Sequence, residues 1–154
     1  MYDAIVLGAR VAGSPTAMLL ARKGYRVLLV DRATFPSDTL STHQVQIPGS
    51  IKLKRWGLLD AVLETGLDVA HHVQLCNDDV VVKGTFPSVD GLAGVYSPRR
   101  YLLDNVLARA AVAAGAELRE GFVVRELLWD EGRVVGMLGE GRNGTTISER
   151  ARVV

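Results

Sequence analysis

Residues 5–15 read IVLGARVAGSP, and the fold depends on how that stretch is read. An apolar run enters Gly8, and Gly13 follows in the spacing of the dinucleotide fingerprint G-x-G-x-x-G, with Arg10 where the middle glycine belongs. In that fingerprint the first glycine makes a sharp turn. The second lets backbone approach a pyrophosphate, and the third lets a helix pack on a strand. Gly8 and Gly13 are placed for the first and third tasks. Arg10 adds bulk at the second, yet a guanidinium there can run along a pyrophosphate and donate charge-assisted hydrogen bonds. Alone, the two glycines describe a packing turn as readily as a cofactor loop, so the flanks decide.

Before the turn, Tyr2 to Leu7 is a short apolar run of the buried parallel-strand type. After it, Ala17, Met18, Leu20 and Ala21 recur at helical spacing between Ala12 and Lys23, with Pro15 in the first turn and Gly24 past the last. The run YRVLLV then predicts a second buried strand closing at Asp31. Strand, glycine turn, helix and strand make a βαβ unit, expected to cross over right-handed. Asp31 stands near the roughly 20-residue offset at which an acid accepts hydrogen bonds from an adenosine ribose, and its charge would repel a 2′-phosphate. These flanks favour a cofactor loop, and spacing leaves FAD and NAD open.

The whole chain narrows the class. Its 154 residues suit one domain with a real core, and 48% apolar content is ordinary for a globular protein. Eighteen Lys and Arg against 17 Asp and Glu leave no electrostatic footprint for nucleic acid or a membrane surface. Cys76 stands alone, which excludes a disulfide framework and reads as a small buried residue. No run approaches the ~18 apolar residues of a membrane span. The N-terminus lacks a signal-peptide pattern, so the expectation is a soluble, cytoplasmic protein.

Further along, residues 32–48 read as a long loop of the kind that carries function. Residues 49–66 read as helical with a break near Gly57, and residues 71–96 as short strands. His71 and His72 are neighbours in a β-like run, so they face opposite ways and cannot chelate one metal. Trp56 and Trp129 read as packing residues. From about Pro98 an amphipathic helix places Leu103, Val106, Leu107 and Ala110 on one face and stops at Gly115. A β-meander follows, with turns at Glu131–Gly132 and Asn143–Gly144. The closing RARVV reads as the start of another apolar strand. The expectation is therefore a chain that is cut, or naturally ends, inside a larger fold, with a sheet edge open to self-association.

Two stretches resemble the FAD-dependent oxidoreductases related to para-hydroxybenzoate hydroxylase and geranylgeranyl reductase. One is DAIVLGARVAGSPTAMLLARKGYRVLLVDRATFPSDTLSTH; the other is PRRYLLDNVLARAAVAAGAELREGFVVREL, with an arginine ahead of a Leu-Asp-x-x-Leu helix. The resemblance implies an α/β fold: a Rossmann-like FAD-binding domain with a parallel sheet, crossover helices and an antiparallel β-meander, truncated at its C-terminus. It implies that Gly8, Arg10, Val11, Ala12 and Gly13 form the pyrophosphate turn and that Asp31 replaces the usual glutamate on the ribose. Arg32 would lie beside the adenosine, and Val124 would hold the adenine through backbone groups. Arg100, or Arg99 one register away, would reach the FAD. His43 lies on a loop that approaches the flavin in relatives; the alternative is a loop histidine held by local hydrogen bonds.

The resemblance further implies a monooxygenase-type oxidoreductase acting on a small organic substrate, with NAD(P)H as electron donor in the full-length enzyme and no turnover by this chain alone. Two alternatives stay open. One is a non-catalytic nucleotide-binding fragment. The other is a nicotinamide-dependent Rossmann reductase, against which stands the lack of any Tyr-x-x-x-Lys pair.

Overall fold

The computed structural model describes residues 1–41 and 44–154. In chain order its elements are β1 (Tyr2–Leu7), α1 (Gly13–Arg22), β2 (Val27–Asp31), α2 (Ile47–Trp56) and α3 (Leu59–Leu63). Six short strands follow: β3 (Val69–Ala70), β4 (His72–Asn77), β5 (Val80–Thr85), β6 (Ser88–Val89), β7 (Leu92–Ala93) and β8 (Val95–Tyr96). Helix α4 (Arg100–Ala113) precedes β9 (Glu117–Glu120), β10 (Val123–Asp130), β11 (Arg133–Glu140) and β12 (Thr146–Val153). The elements fall into two compact units, residues 1–37 with 104–154 and residues 38–103.

The first unit is built on one sheet in the order β10-β11-β12-β1-β2-β9. Strands β12, β1, β2 and β9 run parallel, whereas β10, β11 and β12 form an antiparallel meander. Both expected sheet types are thus present and share β12. Every residue of β2 is buried, the signature of a central parallel strand. Tyr2, Ile5, Leu28, Val30, Phe122, Met137 and Ala151 form a continuous apolar cluster. On α1, Ala17 and Met18 are fully buried, as the helical spacing predicts.

The meander turns lie where the sequence places them. Glu131 and Gly132 both take positive φ, 45° and 76°, the two-residue hairpin geometry that matches strand twist. The second turn closes through Gly144 N–H donating to the Gly141 carbonyl. Two expectations change here. The closing residues do not start a separate strand; Thr146–Val153 is one strand, and its pairing with β1 places it inside the sheet. The sheet's edges are instead β10 and β9, and β9 reads Glu-Leu-Arg-Glu, a charged edge unsuited to strand addition.

In the second unit, α2 ends at Gly57 and α3 follows, as the break in the helical pattern predicts. Pro48 belongs to the first turn of α2 and not to the preceding loop, because its missing N–H costs nothing there. Strands β4 and β5 make a two-stranded hairpin exposed along its whole length. Cys76 lies on β4 and is exposed, against the buried expectation, since among the described residues nothing covers this hairpin. Trp129 is also 63% exposed, on edge strand β10, and does not act as a packing residue. Among the described residues, no helix is long and apolar enough to cross a membrane.

Candidate cofactor site at the β1–α1 turn

Gly8 follows β1 with φ of +98°, a conformation that L side chains rarely adopt. Its N–H donates to the Val30 carbonyl at 2.8 Å, so the turn leaves the sheet still tied to β2. Gly13 opens α1, and a Cβ there would overlap the Gly8 carbonyl oxygen and press on the Val6 side chain. The two glycines therefore do the jobs their spacing assigns, a sharp turn and a close helix–strand approach. Among the described residues, the N–H groups of Val11, Ala12 and Gly13 make no hydrogen bond to the protein. These are the orphan donors of a helix N-terminus, and with the helix dipole they suit an anion.

Asp31 closes β2 and is 8% exposed. Its Oδ2 accepts the Ala9 N–H at 2.7 Å and its Oδ1 accepts the Ala33 N–H at 2.8 Å. The carboxylate thus braces the turn to β2, a role the sequence reading missed. A carboxylate carries about four lone-pair sites, so acceptor capacity toward a ribose remains.

Arg10 departs from the sequence expectation in its side chain. Nη1 donates to Asp104 Oδ2 at 2.6 Å and to the Ser37 carbonyl at 3.4 Å, and Nη2 donates to Ser37 Oγ at 3.2 Å. The guanidinium also lies 5.5 Å from the Phe35 ring centroid, within cation–π range. Asp104 is fully buried on α4. In buried pairs of this kind, removing one partner costs about 3–5 kcal/mol. The buried face of α4 comprises Leu103, Asp104, Leu107, Ala108 and Ala111, so the amphipathic reading with Val106 and Ala110 was rotated on the helix. A charged residue inside that apolar stripe was the available signal.

Leu7, Gly8, Arg10, Val30, Asp31, Arg32, Phe122, Val123 and Val124 surround a cleft of about 340 Å³. Three strands of the first unit, β1, β2 and β10, and the connections beside them thus bring the turn, the strand-end acid, Arg32 and Val124 to one place. That volume is at the small end of ligand pockets and suits one part of an extended molecule. Arg100 opens α4 in the second unit and is not among the lining residues. His43 lies outside the described residues. A glycine cradle with free N–H groups, a buried strand-end acid and an adjoining cleft fit the diphosphate and adenosine of a dinucleotide.

The chain matches the model of the family described as FAD binding domain over residues 1–153. Protein FixC of Escherichia coli strain K12 is 32% identical over 152 residues, covering 92% of this chain and 34% of FixC. Digeranylgeranylglycerophospholipid reductase 2 of Methanothermobacter thermautotrophicus is 28% identical over 163 residues, covering 99% of this chain and 38% of that protein. Among solved structures, the myxobacterial chondrochloren halogenase CndH, a variant of FAD-dependent halogenases, superposes with a TM-score of 0.87 at 25% identity. The alignment covers 99% of this chain and 36% of CndH. A geranylgeranyl bacteriochlorophyll reductase-like protein of Thermoplasma acidophilum shares the fold with a TM-score of 0.81 at 19% identity, covering 97% of this chain and 37% of its own. This chain thus spans about a third of the length of the curated relatives it matches. With its glycine turn at the start of α1, its acid at the end of β2 and a match along nearly its whole length, the chain belongs to the FAD binding domain family.

Proposed function

We propose that the chain holds the ADP half of FAD in the cleft at the β1–α1 turn and serves a flavin-dependent oxidoreductase of the monooxygenase type acting on a small organic substrate. The carrying observation is the convergence of Gly8, Arg10, Asp31, Arg32 and Val124 on one cleft beside the free N–H groups of α1. In this reading Val11, Ala12 and Gly13 donate backbone N–H groups to the pyrophosphate. Asp31 accepts from the ribose while it braces Ala9. Arg32 lies beside the adenosine, and Val124 lines its adenine end. Arg100 and His43 belong to the flavin side of the same proposal.

Bound FAD supplies the two-electron redox chemistry, and the protein supplies orientation and electrostatics. Reduction by NAD(P)H, the choice of substrate, a cytoplasmic location and any self-association belong to the proposal as well. Of the two sheet edges, β10 is the longer and carries exposed Leu127 and Trp129, which makes it the edge for self-association.

The visible absorption spectrum of the purified chain, before and after adding FAD and desalting, tests the cofactor assignment. Retained flavin bands with FAD released on heating support it. Absence of retained or titratable FAD, with saturable NADH binding instead, would overturn it.

A further inference from the structure

We propose that Asp104 is a positioning residue for the cofactor turn: through Arg10 it pins the turn from α4, so that the arginine at the fingerprint's middle position acts as a crosspiece and not as the group that meets the pyrophosphate. This deepens the FAD reading and rests on it.

Asp104 places a fully buried carboxylate on α4. Asp104 requires a permanent cation, and Arg10 Nη1 supplies it at 2.6 Å. The remaining bonds of the guanidinium, to the Ser37 carbonyl and hydroxyl, and the Phe35 ring at its side fix its plane. A guanidinium held on four sides, neutralising a buried acid, is not a free charge for a phosphate.

Its backbone, by contrast, is part of the site. The Arg10 carbonyl accepts the Ser14 N–H at 3.0 Å and so starts α1, whose first N–H groups face the anion position. The next residue back, Ala9, is held by Asp31 through its N–H. Two acids on two different elements thus hold consecutive residues of the turn, and the direction of the Val11 to Gly13 N–H groups follows from both. A glycine at position 10 would restore the textual fingerprint, yet it would release one of these two pins and remove the Arg10–Asp104 ion pair.

The test is the FAD dissociation constant of the full chain by flavin-fluorescence titration, measured for wild type, Arg10→Gly, Asp104→Asn and the double variant. Each is measured at a temperature where circular dichroism shows the apo form folded, and apo melting temperatures are recorded beside it. Each single variant is expected to weaken FAD binding roughly tenfold, and the double variant no further than Arg10→Gly, because one coupled pair is lost once.

The proposal is overturned if Arg10→Gly binds FAD as tightly as wild type or tighter. It is overturned if Asp104→Asn leaves binding unchanged or tightens it, which would mean a released Arg10 meets the phosphate. Multiplying losses in the double variant, or lowered melting temperatures with unchanged affinity, overturn it too. Should Arg10→Gly not fold, the isosteric Asp104→Asn decides alone. Gly13→Val separates the two claims: unchanged FAD affinity in that variant would remove the turn from the site, whatever the pair does.

Discussion

The cofactor turn and the β4–β5 hairpin are both short stretches that carry apolar residues and a glycine, and the structure treats them in opposite ways. At the turn, backbone and side chains are fixed from β2, α1 and α4, through Val30, Asp31, Ser14 and Asp104. In the hairpin, register alone determines the surface. Val73 pairs with Gly84, Leu75 with Val82 and Asn77 with Val80, so one face is apolar, while His72, Gln74 and Cys76 share the other with Thr85, Lys83 and Val81. That apolar face is exposed, with Leu75 at 65% and Val82 at 58%. Apolar content thus does not measure local constraint; what matters is how many other elements hold a segment.

Glycine replacement gives the sharpest test of that difference. Gly13→Val should cost about 3 kcal/mol or more, since its Cβ overlaps the Gly8 carbonyl and the packed turn cannot yield. Gly84→Val should change stability by less than about 0.5 kcal/mol, because a Cβ there makes only ordinary contact with Val73 at 3.7 Å. Urea unfolding of both variants checks this, and similar losses would erase the distinction.

Next in size is the brace from β2. Asp31→Ala removes two hydrogen bonds from backbone N–H groups to a carboxylate and should cost about 2 kcal/mol, with weaker FAD binding. Glu64→Ala, just past α3 in the other unit, should leave both properties within experimental error. Thermal melts with and without FAD compare the two, and equal effects would take Asp31 out of the site.

The hairpin offers a smaller effect. Leu75→Ser should cost under about 0.5 kcal/mol in the isolated chain. A loss above about 1.5 kcal/mol would mean that this face is covered in solution. Sedimentation velocity of both proteins would then identify a second copy as the cover.

The smallest effect belongs to the polar group at the start of β1. Tyr2 Oη donates to Glu117 Oε2 at 2.6 Å, and Arg119 bridges Glu117 and Glu149. Burial pushes the Glu117 carboxyl up, but hydrogen bonds from Tyr2 and Arg119 outweigh it and hold the group below its ordinary 4.5. A depressed pKa contributes stability that is present above the unfolded value and lost as pH falls through the folded one. Burial, then the bond to Glu117, raises Tyr2 above 10.0, so its share is lost as pH rises through that raised value. Melting temperatures of wild type and Glu117→Gln across pH should lie apart and run parallel at intermediate pH and converge at both ends.

Much of this organisation is legible in the residues. The apolar run into Gly8, the helical spacing to Arg22 and the buried YRVLLV run locate β1, α1 and β2, since parallel strands and a covering helix leave strong patterns. Gly57 and the Glu131–Gly132 pair mark a helix end and a hairpin because those geometries need residues that tolerate positive φ. The partners of charged residues are less legible. Asp31 could be assigned to a ribose from its offset, but its bonds to Ala9 and Ala33 depend on the three-dimensional path of the turn. Asp104 and Arg10 are each out of pattern, a charge in an apolar stripe and an arginine in a glycine's place, and only their contact explains both. The exposure of Cys76 and Trp129 was illegible for a related reason: strand patterns state which side chains share a face, not whether anything lies against it.

The most direct test of the central claim is an equilibrium titration of FAD fluorescence with the purified chain and with Gly13→Val at a temperature where both are folded. The structure predicts saturable quenching at one FAD per chain for the wild type and its loss in the variant. Equal binding by both proteins, or no saturable binding by the wild type, would contradict the placement of FAD at the β1–α1 turn.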